Sequence, residues 1–162
     1  MLSTIGIIHT VVSLVAIPFA ITAYVQRGRI DLATRVGQAY FVTALVGAVT
    51  AFGVIKTPQG LGLTVMTLLA LFAGLVVNRI AALGRARPYL QTIALSGSFF
   101  FVLLPGFTET VTRLPVGAPL AASPQAPLAL AVQGLVFVGL VVGLVLQTRA
   151  LRVGTSRAVS AA

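Results

Sequence analysis

The residues best suited to ligand chemistry in this 162-residue chain are its only histidine, glutamate and lysine: His9, Glu109 and Lys56. Arg113 follows the glutamate by four residues, and Thr110 lies beside it. Ionisable groups at membrane depth are costly, so they usually face the protein interior or a water-filled cavity and mark a function. A pocket lined by His9, Glu109, Thr110 and Arg113 could exchange protons or orient a polar group of a ligand, and Lys56 is expected on the same side of the membrane. We predict these five as the candidate ligand-binding residues.

Each of these residues also has a structural interpretation. A histidine one helical turn from a membrane interface can simply donate to a backbone carbonyl. Glu109 and Arg113, at positions i and i+4, can form an ion pair at a helix end. Such a pair stabilises an exposed helix by only about 0.3–0.5 kcal/mol. The spacing alone leaves both interpretations open.

Several kinds of chemistry lack the residues they need. The chain has no cysteine, which removes disulfides, iron–sulfur clusters and cysteine nucleophiles. A zinc site needs three or more ligands, and His9 and Glu109 supply two. A b-type heme commonly takes two histidines, so it would need another type of ligand or His9 from two copies. We therefore predict no catalytic residue and no metal site, disfavour heme, and leave quinone and lipid open as bound molecules.

Composition places most of the chain in a membrane. It is 58% hydrophobic and 8% charged, whereas soluble domains carry about 25% charged residues. Five apolar stretches approach the roughly 20 residues that cross the ~30 Å hydrocarbon layer as a helix. The predicted fold is all-α, a single transmembrane domain over residues 1–162 built as a bundle of five helices. We place these helices at about 5–25, 36–55, 61–83, 89–112 and 128–147, with a kink at Pro105 and an external loop at 114–126.

The fourth of these segments is the most polar one. Its polar residues are Gln91, Thr92, Ser96 and Ser98.

The basic residues predict how the helices are threaded. If the N-terminus lies outside, the inner side receives Arg27, Arg29, Arg35, Arg79, Arg85, Arg87, Arg149, Arg152 and Arg157, and the outer side receives only Lys56 and Arg113. An excess of Lys and Arg in cytoplasmic loops is the main topology signal of membrane proteins. We predict an outside N-terminus and a cytoplasmic C-terminus, which puts Asp31 and Glu109 on opposite sides. The net charge is +9, but the sequence has no run of basic residues interleaved with aromatic ones, which disfavours nucleic-acid binding.

The fifth segment carries a helix-packing motif. Gly139 and Gly143 are four residues apart in an apolar stretch, and Gly134 lies nearby. Small residues at this spacing let two helix backbones approach closely in a membrane. The partner could be another helix of the same chain, a second copy, or a subunit of a membrane complex. Membrane lipids are the remaining expected partners.

The first two segments resemble a family of uncharacterised bacterial integral membrane proteins over about residues 5–55. The residues that carry this resemblance are His9, the loop Arg27-Gly28-Arg29, and Arg35-Val36-Gly37-Gln38-Ala39-Tyr40 at the start of the second helix. Thr34 stands where the family pattern has a histidine, which weakens an analogy to heme-binding redox proteins. The resemblance implies a multi-pass protein of the bacterial inner membrane and no known activity.

Three functions are compatible with these features. The leading prediction is a small, non-enzymatic inner-membrane protein that binds a lipid-like or hydrophobic ligand, or that serves as a subunit of a larger membrane complex. The first alternative is a redox protein that binds heme or quinone near the outer face through His9. The second is a small transporter or channel, although the apolar segments lack the charged relay or inverted repeat typical of coupled transport.

Overall fold

The computed structural model describes residues 4–160, and describes side chains for residues 4–153. These residues form an all-α fold, as predicted. The five α-helices are α1 (Thr4–Arg27), α2 (Arg35–Ala51), α3 (Pro58–Val77), α4 (Arg87–Arg113) and α5 (Pro127–Ser160). A short 3₁₀ helix, Ala81–Ala86, connects α3 to α4.

The prediction of a multi-pass membrane protein is supported by four helical segments. By length and composition, the described segments that could cross a membrane are Thr4–Arg27, Pro58–Val77, Ala81–Arg113 and Pro127–Val153. The remaining helix, α2, has 17 residues and is about 25 Å long. This length is at the lower limit for a membrane span, so the fifth crossing stays a prediction.

Helix α2 ends earlier and α3 begins earlier than expected, and a capping residue explains the start of α3. The sequence places the end of the second helix near Ile55, whereas α2 ends at Ala51 and the following residues form turns. The third helix begins at Pro58 rather than Leu61. Thr57 caps it by accepting a 3.1 Å hydrogen bond from the backbone N–H of Gly60. Proline is well suited to the first helical position because its missing N–H would have no partner there.

The other helices also differ from their expected bounds. Helix α3 ends at Val77, so Arg79 lies beyond it and not in its last turns. Helix α4 continues through Pro105 to Arg113, and the kink at Pro105 stays a prediction. Helix α5 continues to Ser160, past the expected end near Gln147. Its 34 residues make it about 51 Å long, so it exceeds the ~30 Å hydrocarbon layer.

Helices α1 and α2 form a closely packed antiparallel pair. Ala16, Ala20 and Ala23 of α1 are buried together with Ala44 of α2 in the main core cluster. A side-chain Cβ at Gly47 would lie only 2.8 Å from Ser13 Oγ. Small residues therefore allow the two backbones to approach, as is typical of helices in membranes.

Helices α3 and α4 form a second antiparallel pair, and α5 packs on α4. Gly74 of α3 makes room for Leu95 of α4, and the rings of Phe100 and Phe137 join α4 to α5 at 6.0 Å. Contact between α2 and α3 is much sparser. The alternating helices collect most arginines at one end of the bundle, here called the arginine-rich end. Lys56 and Arg113 lie at the opposite end.

Candidate functional site

His9 connects α1 to α2 near the end opposite the arginines. Its Nδ1 lies 2.9 Å from the backbone oxygen of Gly47 and 3.5 Å from Thr50 Oγ1. Because a carbonyl oxygen only accepts hydrogen bonds, Nδ1 carries the proton and donates it to Gly47. The half-buried histidine thus forms an interhelical hydrogen bond, which is the structural interpretation described above.

Glu109 and Arg113 form an ion pair within the last turns of α4. The glutamate side chain is 54% exposed and the arginine side chain 69% exposed. Thr110, which is also exposed, donates to the backbone oxygen of Gly106 at 2.7 Å. These interactions stay within one helix, and at this exposure water screens the ion pair strongly.

The five predicted ligand-binding residues lie toward one end of the bundle but do not form a connected site. Within residues 4–153, no hydrogen bond or ion pair joins His9 to Glu109, Thr110 or Arg113. Lys56 is exposed in the turn between α2 and α3. The structure connects only Glu109 with Arg113.

A more extensive polar cluster lies inside the bundle, toward the arginine-rich end. Ser96 of α4 accepts a hydrogen bond from the Tyr24 hydroxyl of α1 at 3.2 Å and donates to Gln147 Oε1 of α5 at 2.8 Å. Gln91 of α4 donates to the backbone oxygen of Gly74 in α3 at 3.2 Å. Three other helices are therefore tied to α4 by hydrogen bonds from the polar side chains that distinguish its sequence.

A buried pair of hydroxyl groups connects α2 to the same cluster. Tyr40 Oη lies 2.8 Å from Ser98 Oγ. Ser98 already donates its proton to the backbone oxygen of Leu95 at 2.7 Å, so Tyr40 must donate to Ser98. The ring of Phe99 packs against both Tyr24 and Tyr40, with centroid separations of 5.7 and 6.1 Å. The cluster consists of neutral groups that already pair with one another, so its chemistry is interhelical positioning.

Two buried donors fall outside these pairings. Arg29 Nη1 and Thr92 Oγ1 have no hydrogen-bond partner among the described residues. The other end of the Arg29 guanidinium, Nη2, pairs with Asp31 Oδ2 at 2.6 Å. Leaving a donor buried and unpaired costs about 1–3 kcal/mol. These two atoms are therefore weak points in an otherwise satisfied interior.

A lateral groove opens between α2 and α3, whose contact is sparse. Its volume is about 300 Å³, and its lining residues are Leu32, Gln38, Phe41, Val42 and Leu75. Gln38 supplies the polar group among them, and its Nε2 donates to the backbone oxygen of Leu32 at 3.1 Å. The groove is thus an apolar surface with one amide at its edge.

The loop before α2 positions one wall of this groove. Thr34 caps α2 by accepting from the N–H of Gly37 at 3.0 Å, and its hydroxyl donates to the backbone oxygen of Asp31 at 2.8 Å. That oxygen lies against the Cα of Gly37, where any Cβ would collide with it. The absence of a side chain at Gly37 therefore lets the loop fold over the start of α2 and bring Leu32 to the groove.

The glycines of α5 face open space. An added Cβ at Gly134 or Gly139 would meet no other atom within 4 Å, and one at Gly143 would meet only Gln147 of the same helix, at 3.5 Å. Only 6% of the apolar span of α5 is buried, compared with 17–28% for the other candidate spans. The small-residue face of α5 is therefore not used for packing within the described chain.

Comparison with known proteins adds no assignment to this geometry. No protein-family model matches the chain, and neither does any curated protein or solved structure.

Proposed function

We propose that this protein is a non-enzymatic membrane protein that binds a lipid-like ligand in the groove between α2 and α3. The observation that carries the proposal is the groove itself. Ligand sites are commonly concave, mostly apolar, and about 300–1,000 Å³ in volume, with a few polar groups that orient the ligand. The groove has this character at the lower end of the range, so its size suits one segment of an acyl chain and not a whole lipid.

The access to the groove supports a ligand that comes from the bilayer. Two membrane-length or near-membrane-length helices form its walls, and Val42 at its edge is 56% exposed. A ligand can therefore enter sideways without passing through an aqueous loop. Apart from Thr92, the polar side chains described inside the bundle already have hydrogen-bond partners, which favours a binding role over a catalytic one.

The same proposal includes a location and an orientation. We infer a bacterial inner-membrane protein with its N-terminus outside and the arginine-rich end in the cytoplasm. The distribution of arginine and lysine supports this orientation through the positive-inside rule. The resemblance of residues 5–55 to bacterial membrane proteins supports the bacterial setting.

The groove can be filled by one substitution with a matched control. We expect Val42→Trp to reduce the lipid that co-purifies with the protein, measured by mass spectrometry of an organic extract. Val49→Trp is the control, because Val49 belongs to the same helix, is also 56% exposed, and does not line the groove. Equal lipid content in the two variants, both folded by circular dichroism, would contradict binding in the groove.

Assembly with another membrane protein or a second copy is the second candidate function. The open glycine face of α5 favours this function. A glycine inside a helix lowers helix stability by about 1 kcal/mol relative to alanine, and no other part of the described chain packs against these glycines. We expect Gly139→Leu to lower the detergent-solubilised mass. Gly62→Leu is the control, since Gly62 of α3 is also exposed with no neighbour within 4 Å of its added Cβ. An unchanged mass in both variants would argue against self-association through this face.

A further inference from the structure

Two arginines lie within four residues of groove-lining residues along the chain, on the side of the arginine-rich end of the bundle. Arg35 begins α2 and lies three residues before Gln38, which puts both residues on one face of the helix. Arg79 follows Leu75 by four residues, just beyond the end of α3. Both arginine side chains are exposed. Each of the two groove-forming segments therefore carries an exposed arginine toward the arginine-rich end of the bundle.

These two charges are not neutralised by protein groups in residues 4–153. The acidic side chain of this end is Asp31, and it is paired with Arg29 at 2.6 Å. The side chains of that pair are only 16% and 22% exposed, so Asp31 is already committed. Salt bridges within residues 4–153 involve neither Arg35 nor Arg79.

The order of charged and apolar groups along the groove matches that of a phospholipid. Val42 lies seven residues after Arg35 in the same helix, which places it about 10 Å deeper along the axis. A phospholipid likewise has its phosphate at the membrane surface and its acyl chains below. We propose that the groove selects an anionic phospholipid from the bilayer. Arg35 and Arg79 bind its phosphate-containing headgroup, and an upper acyl segment lies against Phe41, Val42 and Leu75.

The proposal rests on the lipid-binding function proposed above and adds the class of lipid. A guanidinium matches phosphate oxygens in geometry and charge and can donate two parallel hydrogen bonds. Basic pockets between membrane helices on the cytoplasmic side are typical binding sites for anionic headgroups. A zwitterionic lipid would bring a positive charge of its own toward the two arginines, so the site should discriminate against it.

The chain has no tryptophan, so one introduced tryptophan reports its own surroundings. Phe41→Trp places the reporter in the groove wall. Phe52→Trp places it at the opposite end of α2, where Phe52 is 49% exposed, as a reporter of general lipid contact. Each variant is reconstituted into vesicles of equal parts phosphatidylcholine and phosphatidylglycerol. Bromine on the acyl chains of one lipid or the other then quenches the fluorescence according to which lipid is adjacent.

We expect brominated phosphatidylglycerol to quench the Phe41→Trp reporter preferentially, and both brominated lipids to quench Phe52→Trp alike. In the Phe41→Trp protein, Arg35→Gln and Arg79→Gln should each reduce this preference about fivefold, the effect of one arginine near an anionic surface. Arg35→Lys should retain most of it. Arg149→Gln should leave the preference for phosphatidylglycerol unchanged. Arg149 is also exposed at the arginine-rich end, but it belongs to α5, which packs on α4 and does not form the groove.

The outcomes separate the two proposals. Stronger quenching of Phe41→Trp than of Phe52→Trp, by both brominated lipids equally, would overturn the anionic selectivity and leave lipid binding intact. Equal quenching of Phe41→Trp and Phe52→Trp by each brominated lipid would overturn both lipid binding in the groove and the anionic selectivity. An equal loss in Arg149→Gln would assign the preference to the general charge of this end and would also overturn the selectivity. The phosphatidylglycerol share of lipid retained by the tryptophan-free protein, compared with its Arg35→Gln variant, gives the same decision without any reporter.

Discussion

The buried hydrogen bond between Tyr40 and Ser98 allows a sharp test of how α4 holds the bundle together. Both side chains are fully buried, and the roles of donor and acceptor are determined. Ser98 donates to Leu95, so Tyr40 donates to Ser98. Removing the Tyr40 hydroxyl and removing the Ser98 hydroxyl therefore leave different hydrogen-bonding groups without a partner.

The magnitudes follow from this asymmetry. Tyr40→Phe removes one hydrogen bond and leaves Ser98 with its bond to Leu95, so we expect a loss of about 0.6 kcal/mol in unfolding free energy, the average for interhelical bonds in membranes. Ser98→Ala leaves the Tyr40 hydroxyl buried without an acceptor, which costs about 1–3 kcal/mol. In the double variant no hydroxyl is left unpaired, so its cost should fall below the sum of the two single costs.

Unfolding free energies can be measured by titrating sodium dodecyl sulfate into mixed micelles and following helicity by circular dichroism. Thr10→Val serves as the control, because the exposed Thr10 hydroxyl bonds only to Gly6 in its own helix. The reasoning would be refuted by a Tyr40→Phe loss as large as that of Ser98→Ala, or by strictly additive losses in the double variant. Either result would mean that the pair is not formed as described.

Two further predictions concern single residues. His9→Ala should lower the unfolding free energy by about 1 kcal/mol through loss of the hydrogen bond to Gly47. Glu109→Gln should change the unfolding free energy by less than about 0.5 kcal/mol because its ion pair is exposed. A double variant whose loss differs from the sum of the two single losses would instead indicate a shared pocket. Thr92→Val should raise thermal stability in detergent, since it replaces a buried unpaired hydroxyl by a methyl group of the same shape; a lower melting temperature would show that a water molecule satisfies Thr92.

Local features were the most predictable part of the fold. Long apolar stretches identify the membrane helices, and the polar residues of the fourth stretch single out α4 before any contact is known. The partners of Ser96 and Ser98 were not predictable, because Tyr24 and Tyr40 lie 72 and 58 residues away. Which turns of two distant helices face each other depends on their relative rotation and depth, and neither quantity is encoded in the spacing within one helix.

The groove had no sequence signal for a related reason. Leu32, Phe41, Val42 and Leu75 are ordinary apolar residues in an apolar chain. A groove results from what does not pack between two helices, so no residue type identifies it. The unusual residue types, His9 and Glu109, lie toward the opposite end, where His9 bonds to a backbone oxygen of α2 and Glu109 pairs with Arg113 of its own helix.

The side of α2 that packs against α1 and the side that borders the groove carry residues of different size. Its buried face consists largely of small residues that accept α1, together with Tyr40, which reaches α4. The groove between α2 and α3 is instead lined by the bulkier Phe41 and Val42. The contact of α2 with α3 is sparser than its contact with α1, and both residues lie within two turns of Arg35. An apolar groove thus lies beside the arginine-rich end of the bundle, and the proposed anionic phospholipid would place its acyl segment in the first and its headgroup at the second.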